Sequence, residues 1–307
     1  GFYANQLLTT GNFNVSIGQQ AGRTSVNGAS NVSIGYQAAY SNTSGANNVM
    51  IGHQAGYSST GSSNVMVGLQ AGYSSTGSSN LMVGLQAGYN NTTGSVNTYI
   101  GYAAGYGQTG GTGEGNTAVG FYSQKDKGTT GNYNTSIGFY ALGSDQNAGF
   151  TGTGNTSGGY YSQRFTSSGS YNTTFGYIAG ERLTSGTNNT LIGAEAGTGS
   201  APSGQLTSES NRVCLGNNAV SHLYCKISTI TTSDKRDKTN FGDIAYGLGF
   251  VNQLKPTAFE FKKDGKRDTK ETDGVKRYGF IAQEILELEG DNPVIINNDD
   301  KENLKYQ

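Results

Sequence analysis

The sequence is poor in the residues that define several classes of protein. Its 307 residues include no tryptophan, 3 prolines and 2 cysteines, and only 13% are charged. Two thiols are too few for a disulfide scaffold. So little proline excludes a collagen, although 49 residues are glycine. No apolar run approaches the roughly 18 residues that a membrane span requires, so we expect no membrane-spanning segment.

Charge is also too scarce for a polyanion-binding surface. The formal net charge is −1, and no cluster of lysine and arginine is present, so we expect no nucleic-acid partner. The chain begins with Gly1 inside a repeating pattern rather than with a methionine. We therefore expect a piece of a longer protein, whose targeting cannot be read from this sequence.

The composition changes abruptly near Ser233. Residues 1–232 carry 7 Lys/Arg and 6 Asp/Glu, whereas residues 233–307 carry 13 Lys/Arg and 15 Asp/Glu. Such a shift marks a domain boundary. The sequence predicts a repetitive rod over residues 1–226, a Thr/Ser-rich junction over 227–232 and a compact module over 233–307.

The long part repeats the pattern Asn-x-x-apolar-Gly. Copies are mostly 16 or 17 residues apart, with stretched intervals of 18 to 23, and a small residue, usually alanine, follows most of the glycines at the third position. A fixed period of this kind predicts a stacked repeat architecture. Four consecutive copies are Asn31–Gly35, Asn48–Gly52, Asn64–Gly68 and Asn80–Gly84.

Each repeat predicts one rung of a β-rod. The apolar residues around Met50 suit a short strand, Gly52 allows a tight turn, and the Ser/Thr/Asn/Gly spacer returns the chain to the next rung. We expect two short strands per rung, with the asparagines stacked into a ladder along the axis. Eleven intervals of about 4.8 Å give a rod of roughly 50 Å.

A rung offers about two aliphatic residues and an alanine, which is little to offset the cost of ordering its backbone, about 1–2 kcal/mol per residue. We therefore interpret the repeat as a homotrimeric β-roll or β-solenoid with a shared core. A monomeric solenoid is the alternative. The pattern resembles the trimeric β-roll heads of bacterial trimeric autotransporter adhesins and repeats of phage tail fibres.

Residues 233–307 predict a small α+β module. Asp243–Leu254 has the apolar spacing of a helix that ends before Pro256. Phe259 and Phe261 predict one strand and Tyr278 and Phe280 a second. Ala282–Glu289 predicts another short helix, with Ile281, Ile285 and Leu288 facing inward.

Three blocks of this module carry a second resemblance: Ser233–Lys238, Leu254–Phe259 and Tyr278–Glu284. They are similar to the intramolecular chaperone domain of endosialidase-type phage tailspikes and fibres, which also occurs in a self-cleaving eukaryotic membrane-bound transcription factor. The resemblance implies a domain that assists trimerisation of the β-rich stalk before it and then releases itself by autoproteolysis. The family usually continues into a long C-terminal helix, so we expect the module to be truncated at Gln307.

The resemblance also implies a catalytic Ser–Lys dyad at Ser233 and Lys238. A serine hydroxyl needs an adjacent base, and lysine can serve when its pKa is lowered. Attack within the chain favours the carbonyl of Thr232, but cleavage between Ser233 and Asp234 stays open. Asp237 stands where the family often has an apolar residue, and its carboxylate would favour the ammonium form of Lys238.

Other candidate sites are weaker. Cys214, His222 and Cys225 have no fourth ligand nearby, so we expect no metal site, and no motif indicates a cofactor. The recurring tyrosines either stack on sugars of a host polysaccharide or cover the rod and pack between chains, and their recurrence with the rung favours the second. The irregular insertions are the better candidates for binding loops; they are Gln108–Gly115, Gln124–Gly131 and Gly143–Thr153.

These observations predict a phage tail fibre: an extracellular part of the virion that attaches to the host surface. The expected partners are two further copies of the chain, other tail or baseplate proteins, and a glycan or protein of the host cell surface. Two alternatives stay open. One is a tailspike depolymerase that acts on host polysaccharide, and the other is a bacterial trimeric adhesin.

Overall fold

A computed structural model describes residues 1–107, 110–125, 130–143, 149–223, 247–261, 271–272, 274–290, 296–297 and 305–306. The chain divides into two compact units, Gly1–Tyr224 and Cys225–Gln307. The first unit, here called the shaft, is a β-solenoid, and the second is a small region of mixed helix and strand. The predicted mainly β class, with a solenoid followed by a small α+β module, is confirmed.

In the described part of the shaft, twelve strands of three residues form one sheet. Neighbouring strands follow chain order and are parallel and in register, so that Val49 pairs with both Val32 and Val65. The strands are β1 (Val15–Ile17), β2 (Val32–Ile34), β3 (Val49–Ile51), β4 (Val65–Val67), β5 (Leu81–Val83), β6 (Thr98–Ile100), β7 (Thr117–Val119), β8 (Thr135–Ile137), β9 (Thr156–Gly158), β10 (Thr173–Phe175), β11 (Thr190–Ile192) and β12 (Val213–Leu215).

The described part of each rung contains one strand, so the expectation of two was wrong. After β3 the chain passes through Gly52 at φ 138° and Gln54 at φ 56°, and these left-handed values turn it out of the strand conformation. Backbone hydrogen bonds to the neighbouring rung nevertheless continue through the turn, as from Gln54 N–H to the Tyr36 carbonyl at 2.8 Å. The rungs are therefore joined beyond the sheet as well as within it.

Only the central residue of each strand points into the shaft. Met50, Met66 and Met82 are fully buried and stack with buried alanines, whereas Val49 and Ile51 on either side are half-buried and face outward. Val49 and Ile51 thus lie toward the outer surface rather than in the core. Each of these rungs closes its own small core with a methionine and an alanine.

The core is polar at β8 to β10 and apolar again around Leu191 at the centre of β11. At β8 the central residue is Ser136, whose hydroxyl accepts a hydrogen bond from buried Ser123 at 2.8 Å. At β10 it is Thr174, whose hydroxyl accepts one from Ser162 at 2.9 Å. These side chains are fully buried but hydrogen-bonded, which is how polar groups are accommodated in an interior.

The predicted asparagine ladder is present and buried. In successive rungs the side-chain oxygen of each asparagine accepts a hydrogen bond from the backbone N–H of the next, at 2.8–3.0 Å. The side-chain amides also donate to a backbone carbonyl of the neighbouring rung, which belongs to a glycine from Asn14 to Asn172, as from Asn64 to Gly77 at 3.0 Å, and to Glu209 at Asn189. The ladder members are Asn14, Asn31, Asn48, Asn64, Asn80, Asn97, Asn116, Asn134, Asn155, Asn172 and Asn189.

The closing glycines of the repeat form a second column beside the ladder. Gly68 lies at φ 138°, and a Cβ added to it would overlap the carbonyl of Gly84 in the next rung. Only glycine combines this backbone conformation with so close a neighbouring strand. Asn therefore recurs in the repeat because its side chain hydrogen-bonds to the neighbouring rung, and Gly recurs because the backbones of neighbouring rungs approach too closely for a Cβ.

The described residues of the second unit form six short elements: α1 (Leu248–Val251), β13 (Thr257–Phe259), β14 (Arg277–Gly279), α2 (Ala282–Glu289), β15 (Ile296–Asn297) and β16 (Lys305–Tyr306). The strand pairs β13–β14 and β15–β16 are antiparallel. The bounds of α2 agree with the prediction. Its Ile285 is buried, but Ile281 precedes the helix and is 39% exposed, so the inward position expected for Ile281 was wrong.

The other predicted elements of this unit are shorter than expected. Of the helix predicted over Asp243–Leu254, the described residues form only Leu248–Val251, in which Leu248 and Val251 are exposed. Phe261 and Phe280 lie just beyond the strands that were predicted to contain them. Residues 243–246 are outside the described residues.

The ladder can be tested by truncating one member. Asn64→Ala removes the oxygen that accepts from Asn80 N–H at 2.9 Å and the amide that donates to Gly77 at 3.0 Å. Each buried group left unpaired costs about 1–3 kcal/mol, so we expect the free energy of unfolding to fall by about 3 kcal/mol or more. Chemical denaturation measures it. The exposed Thr60→Ala should cost less than about 0.5 kcal/mol, and equal losses in the two variants would contradict the role of the ladder.

Candidate functional site

Aromatic rings stack along the outside of the shaft. The tyrosine column consists of Tyr40, Tyr57, Tyr73, Tyr89 and Tyr106, whose successive ring centroids are 4.9–5.2 Å apart with interplanar angles of 4–14°. Each ring occupies the same position of its rung, so the spacing of the stack matches the distance between paired strands. Stacked rings of this kind add about 0.5–1.5 kcal/mol per pair beyond their burial.

A second column follows the closing glycine of each strand. This corner column consists of Tyr36, His53, Leu69, Leu85, Tyr102, Phe121, Phe139, Tyr160 and Tyr177. Its rings from Tyr102 to Tyr177 stack at 4.8–5.4 Å, and Tyr36 stacks on His53 at 5.1 Å. The histidine is thus one member of a repeating position.

The corner column and the third residues of β1–β11 together form one surface, here called the apolar face. It is rich in isoleucine, valine, leucine and aromatic residues, and much of it is exposed: Ile137 by 49%, Leu69 by 44% and Phe121 by 41%. Every Asp, Glu, Lys and Arg in the described part of the shaft lies elsewhere. An uncharged, exposed apolar surface running through eleven rungs is typical of an interaction surface.

Glutamines form a third column next to the corner column. The side-chain amides of Gln37, Gln54, Gln70 and Gln86 each donate to the glutamine of the preceding rung at 2.7–3.1 Å. The next rung has Ala103 in this place. The rungs after it have Tyr122, Tyr140 and Tyr161, all at positive φ like the glutamines.

Cations accompany the tyrosines that continue this column. The Lys125 ammonium lies 3.8 Å from the ring centroid of Tyr122, and the Arg164 guanidinium lies 4.1 Å from that of Tyr161. Both distances are within the range of cation–π attraction. Lys125 and Arg164 hold the place in their rungs that the tyrosine column occupies in earlier ones.

A cleft lies where the glutamine and tyrosine columns end. Its volume is about 400 Å³, and it is lined by Gln86, Ala103, Tyr106, Tyr122 and Lys125. Ala103, which is itself buried, replaces the next glutamine after Gln86, and Lys125 replaces the next ring after Tyr106. The cleft therefore lies where two regular columns end.

Burial and mutual proximity alter the acidity of the tyrosine column. Desolvation raises the pKa of Tyr57, Tyr73 and Tyr89, and the neighbouring phenols add to this effect because two adjacent phenolates would repel one another. The column therefore favours the neutral phenols.

The sequence-predicted site residues fall into two groups. Asn31, Asn48, Asn64 and Asn80 lie in the ladder, and Gly35, Gly52, Gly68 and Gly84 lie in the adjoining glycine column. Thr232, Ser233, Asp234 and Lys238 lie outside the described residues, as does the junction 227–232. The dyad and its cleavage position therefore stay predictions.

The candidate metal ligands do not form a described cluster. Cys214 is buried at the centre of β12, and the ring of exposed His222 contacts the Ser221 hydroxyl at 2.8 Å, while Cys225 lies outside the described residues. Among the residues that the structure describes, no group of three His, Cys, Asp or Glu side chains is placed to hold a metal ion.

The predicted binding loops are described only in part, since residues 108–109, 126–129 and 144–148 lie outside the described residues.

Sequence reasoning missed the cleft. The signal that could have found it is the glutamine that recurs two residues after the closing glycines and is replaced by Ala103.

Comparison with protein families separates the second part of the chain from the first. Residues 233–292 match the family model described as chaperone of endosialidase. The resemblance inferred from the three sequence blocks is thereby supported for this module. No curated protein and no solved structure matches the chain. Within the described residues, no helix has the length and hydropathy needed to cross a membrane.

The tyrosine column predicts a loss of stability in alkali. A phenol whose pKa is higher in the folded than in the unfolded chain stabilises the fold while it is protonated. This stabilisation is fully present below the unfolded-chain pKa of about 10 and is lost as the pH rises through the folded-state pKa. We expect the melting temperature to fall above about pH 10, and to fall less in the variant Tyr57→Phe/Tyr73→Phe/Tyr89→Phe, which keeps the rings. Tyr171→Phe, an exposed residue outside the column, is the control. If the melting temperature of the triple variant fell in alkali as much as that of the wild type, the tyrosine column would not be the cause of the alkaline loss of stability.

Proposed function

We propose that this chain is part of a homotrimeric phage tail fibre, in which the shaft extends from the virion and attaches to the host cell surface. The second unit would assist assembly of three copies, and other tail or baseplate proteins would hold the fibre. Two observations support the proposal: the chaperone match at residues 233–292 and the uncharged apolar face of the shaft.

The apolar face carries the argument for assembly. In a single chain, Leu69, Phe121 and Ile137 leave two fifths or more of their surface in water. Burying apolar surface stabilises by about 25 cal/mol per Å², and the gain recurs at every rung because the face is continuous. Packing three such faces around a common axis buries them all and leaves the charged positions outside.

Each chain can pack in this way without refolding because the core of each rung is formed within a single chain. Met66 and Ala71 are fully buried within one chain, so assembly does not require the cores to open. The chains can therefore fold their rungs and join through the outer surface. A module that brings three chains together would align their faces from one end.

Assembly can be tested by placing a charge on the apolar face. Leu69→Glu brings three carboxylates together at one level of the trimer, where desolvation and repulsion oppose packing. We expect the wild-type chain to have a native mass of three times 32.1 kDa. On dilution, the variant trimer should dissociate at a protein concentration at least about tenfold higher than the concentration at which the wild-type trimer dissociates. Light scattering across a dilution series measures both.

Thr60→Glu, an exposed position on the returning segment, is the matched control and should assemble like the wild type. A wild-type monomer would disprove the trimeric fibre. A Leu69→Glu trimer as stable as the wild type would show that the face is not the interface.

We further propose that Ser233 cleaves the chain once, with Lys238 as its base. The Ser233 hydroxyl attacks the Thr232 carbonyl while Lys238 takes its proton, and the amide nitrogen of Ser233 then leaves with that proton, so that Thr232 is joined to Ser233 Oγ through an ester. Water hydrolyses the ester, which leaves a carboxylate on Thr232 and releases the module with Ser233 at its N-terminus. Ser233→Ala and Lys238→Ala should each slow cleavage by at least about 100-fold, whereas Ser228→Ala should leave it unchanged. Denaturing gels of full-length protein over time measure the rate, and an uncut wild type or unaffected variants would refute the dyad.

A further inference from the structure

The cleft at Ala103 combines three kinds of binding group. Gln86 donates its amide N–H to Gln70 at 3.1 Å, so its carbonyl oxygen is the end of the glutamine column. In earlier rungs the next glutamine donates to that oxygen, but the methyl side chain of Ala103 has no donor. The cleft therefore presents a hydrogen-bond acceptor directed along the shaft.

Aromatic surface and positive charge complete the lining. Tyr106 is the last ring of the tyrosine column, with Lys125 rather than a further ring at that position of the next rung. The Lys125 ammonium lies 3.8 Å from the Tyr122 ring centroid, which holds it at the edge of the cleft. A ring face, an amide oxygen and an ammonium together suit a ligand that has C–H surfaces, hydroxyl groups and a negative charge.

The same chemistry continues along the shaft. Tyr122 contacts Tyr140 edge to face at 4.8 Å, and Tyr140 contacts Tyr161 at 5.6 Å. The Arg164 guanidinium lies over the Tyr161 ring. Arg164 is two rungs from Lys125, so the two cations are about 10 Å apart along the axis. A polymer lying along the shaft would meet a cation at both rungs.

We propose that this cleft and the adjoining tyrosines bind an anionic polysaccharide, in which a sugar ring stacks on Tyr106 and a carboxylate or phosphate pairs with Lys125. The inference rests on the proposed attachment role and names the class of receptor. The cleft residues lie in the glutamine and tyrosine columns, outside the apolar face. Tyr122 contacts Tyr102 and Phe121 of that face, so trimer assembly through the face would leave Tyr106 and Lys125 as the available groups.

The test uses the full chain and an array of purified bacterial polysaccharides that carry carboxylates, carry phosphates or are neutral. We expect the wild type to bind anionic members and not neutral ones, and the anionic group that is bound identifies the source of the charge. Lys125→Gln should weaken binding by at least about tenfold. Arg23→Gln, which removes a cation from the equivalent position six rungs earlier, should have no effect.

Ala103→Gln is the sharper variant because it extends the glutamine column. The backbone at this position already has φ 49°, close to the 54–58° of the column glutamines, so folding should be retained while the new side chain fills the cleft. We expect loss of binding by at least about tenfold with an unchanged native mass.

Failure to bind any anionic member, equal binding of neutral members, or unchanged binding in both cleft variants would overturn the inference. The native mass of the same preparations separates this failure from failure of the fibre. A trimer that binds nothing removes the receptor assignment alone, whereas a monomer removes the proposed function.

Discussion

The shaft depends on one hydrogen bond, from the backbone N–H of each ladder asparagine to the side-chain oxygen of the asparagine one rung before. The bond has the same length of 2.9 Å where the interval between asparagines is 16 residues, as from Asn64 to Asn80, and where it is 21, as from Asn134 to Asn155. Extra residues must therefore be absorbed in the returning segment. The fixed register is what aligns every other column of side chains.

Because the rungs are aligned, a residue type that recurs at one position of the rung forms a continuous surface along the shaft. The same place in each rung becomes a stack of tyrosines, a column of glutamines or a strip of isoleucine and valine. Charged residues such as Lys125 and Arg164 occur beside the aromatic columns and are absent from the apolar face of the described shaft. A regular scaffold thus separates an uncharged apolar face from columns that carry aromatic rings and cations, and a cleft lies where the glutamine and tyrosine columns end.

Much of the scaffold could be predicted from the sequence because the spacing of residues within the repeat reflects the geometry of one rung. Asn48 and Gly52 recur at a fixed spacing, and that spacing predicts the rung and its ladder. The direction of the side chains was harder, since Val49, Met50 and Ile51 are all apolar and only the turn at Gly52 decides that Met50 points inward. The cleft could not be predicted without knowing that Gln86 bonds along the axis. In the second unit, α2 followed from its spacing, whereas Ile281 was misplaced because it precedes the helix.

The central claim is that three shafts pack side by side, each with its own ladder and core. Mass per unit length of unstained particles, measured by scanning transmission electron microscopy, tests this directly. The account predicts the mass of three rungs for each advance of about 4.8 Å along the shaft. A value of one rung per advance would show that the shaft stands alone and would contradict the account.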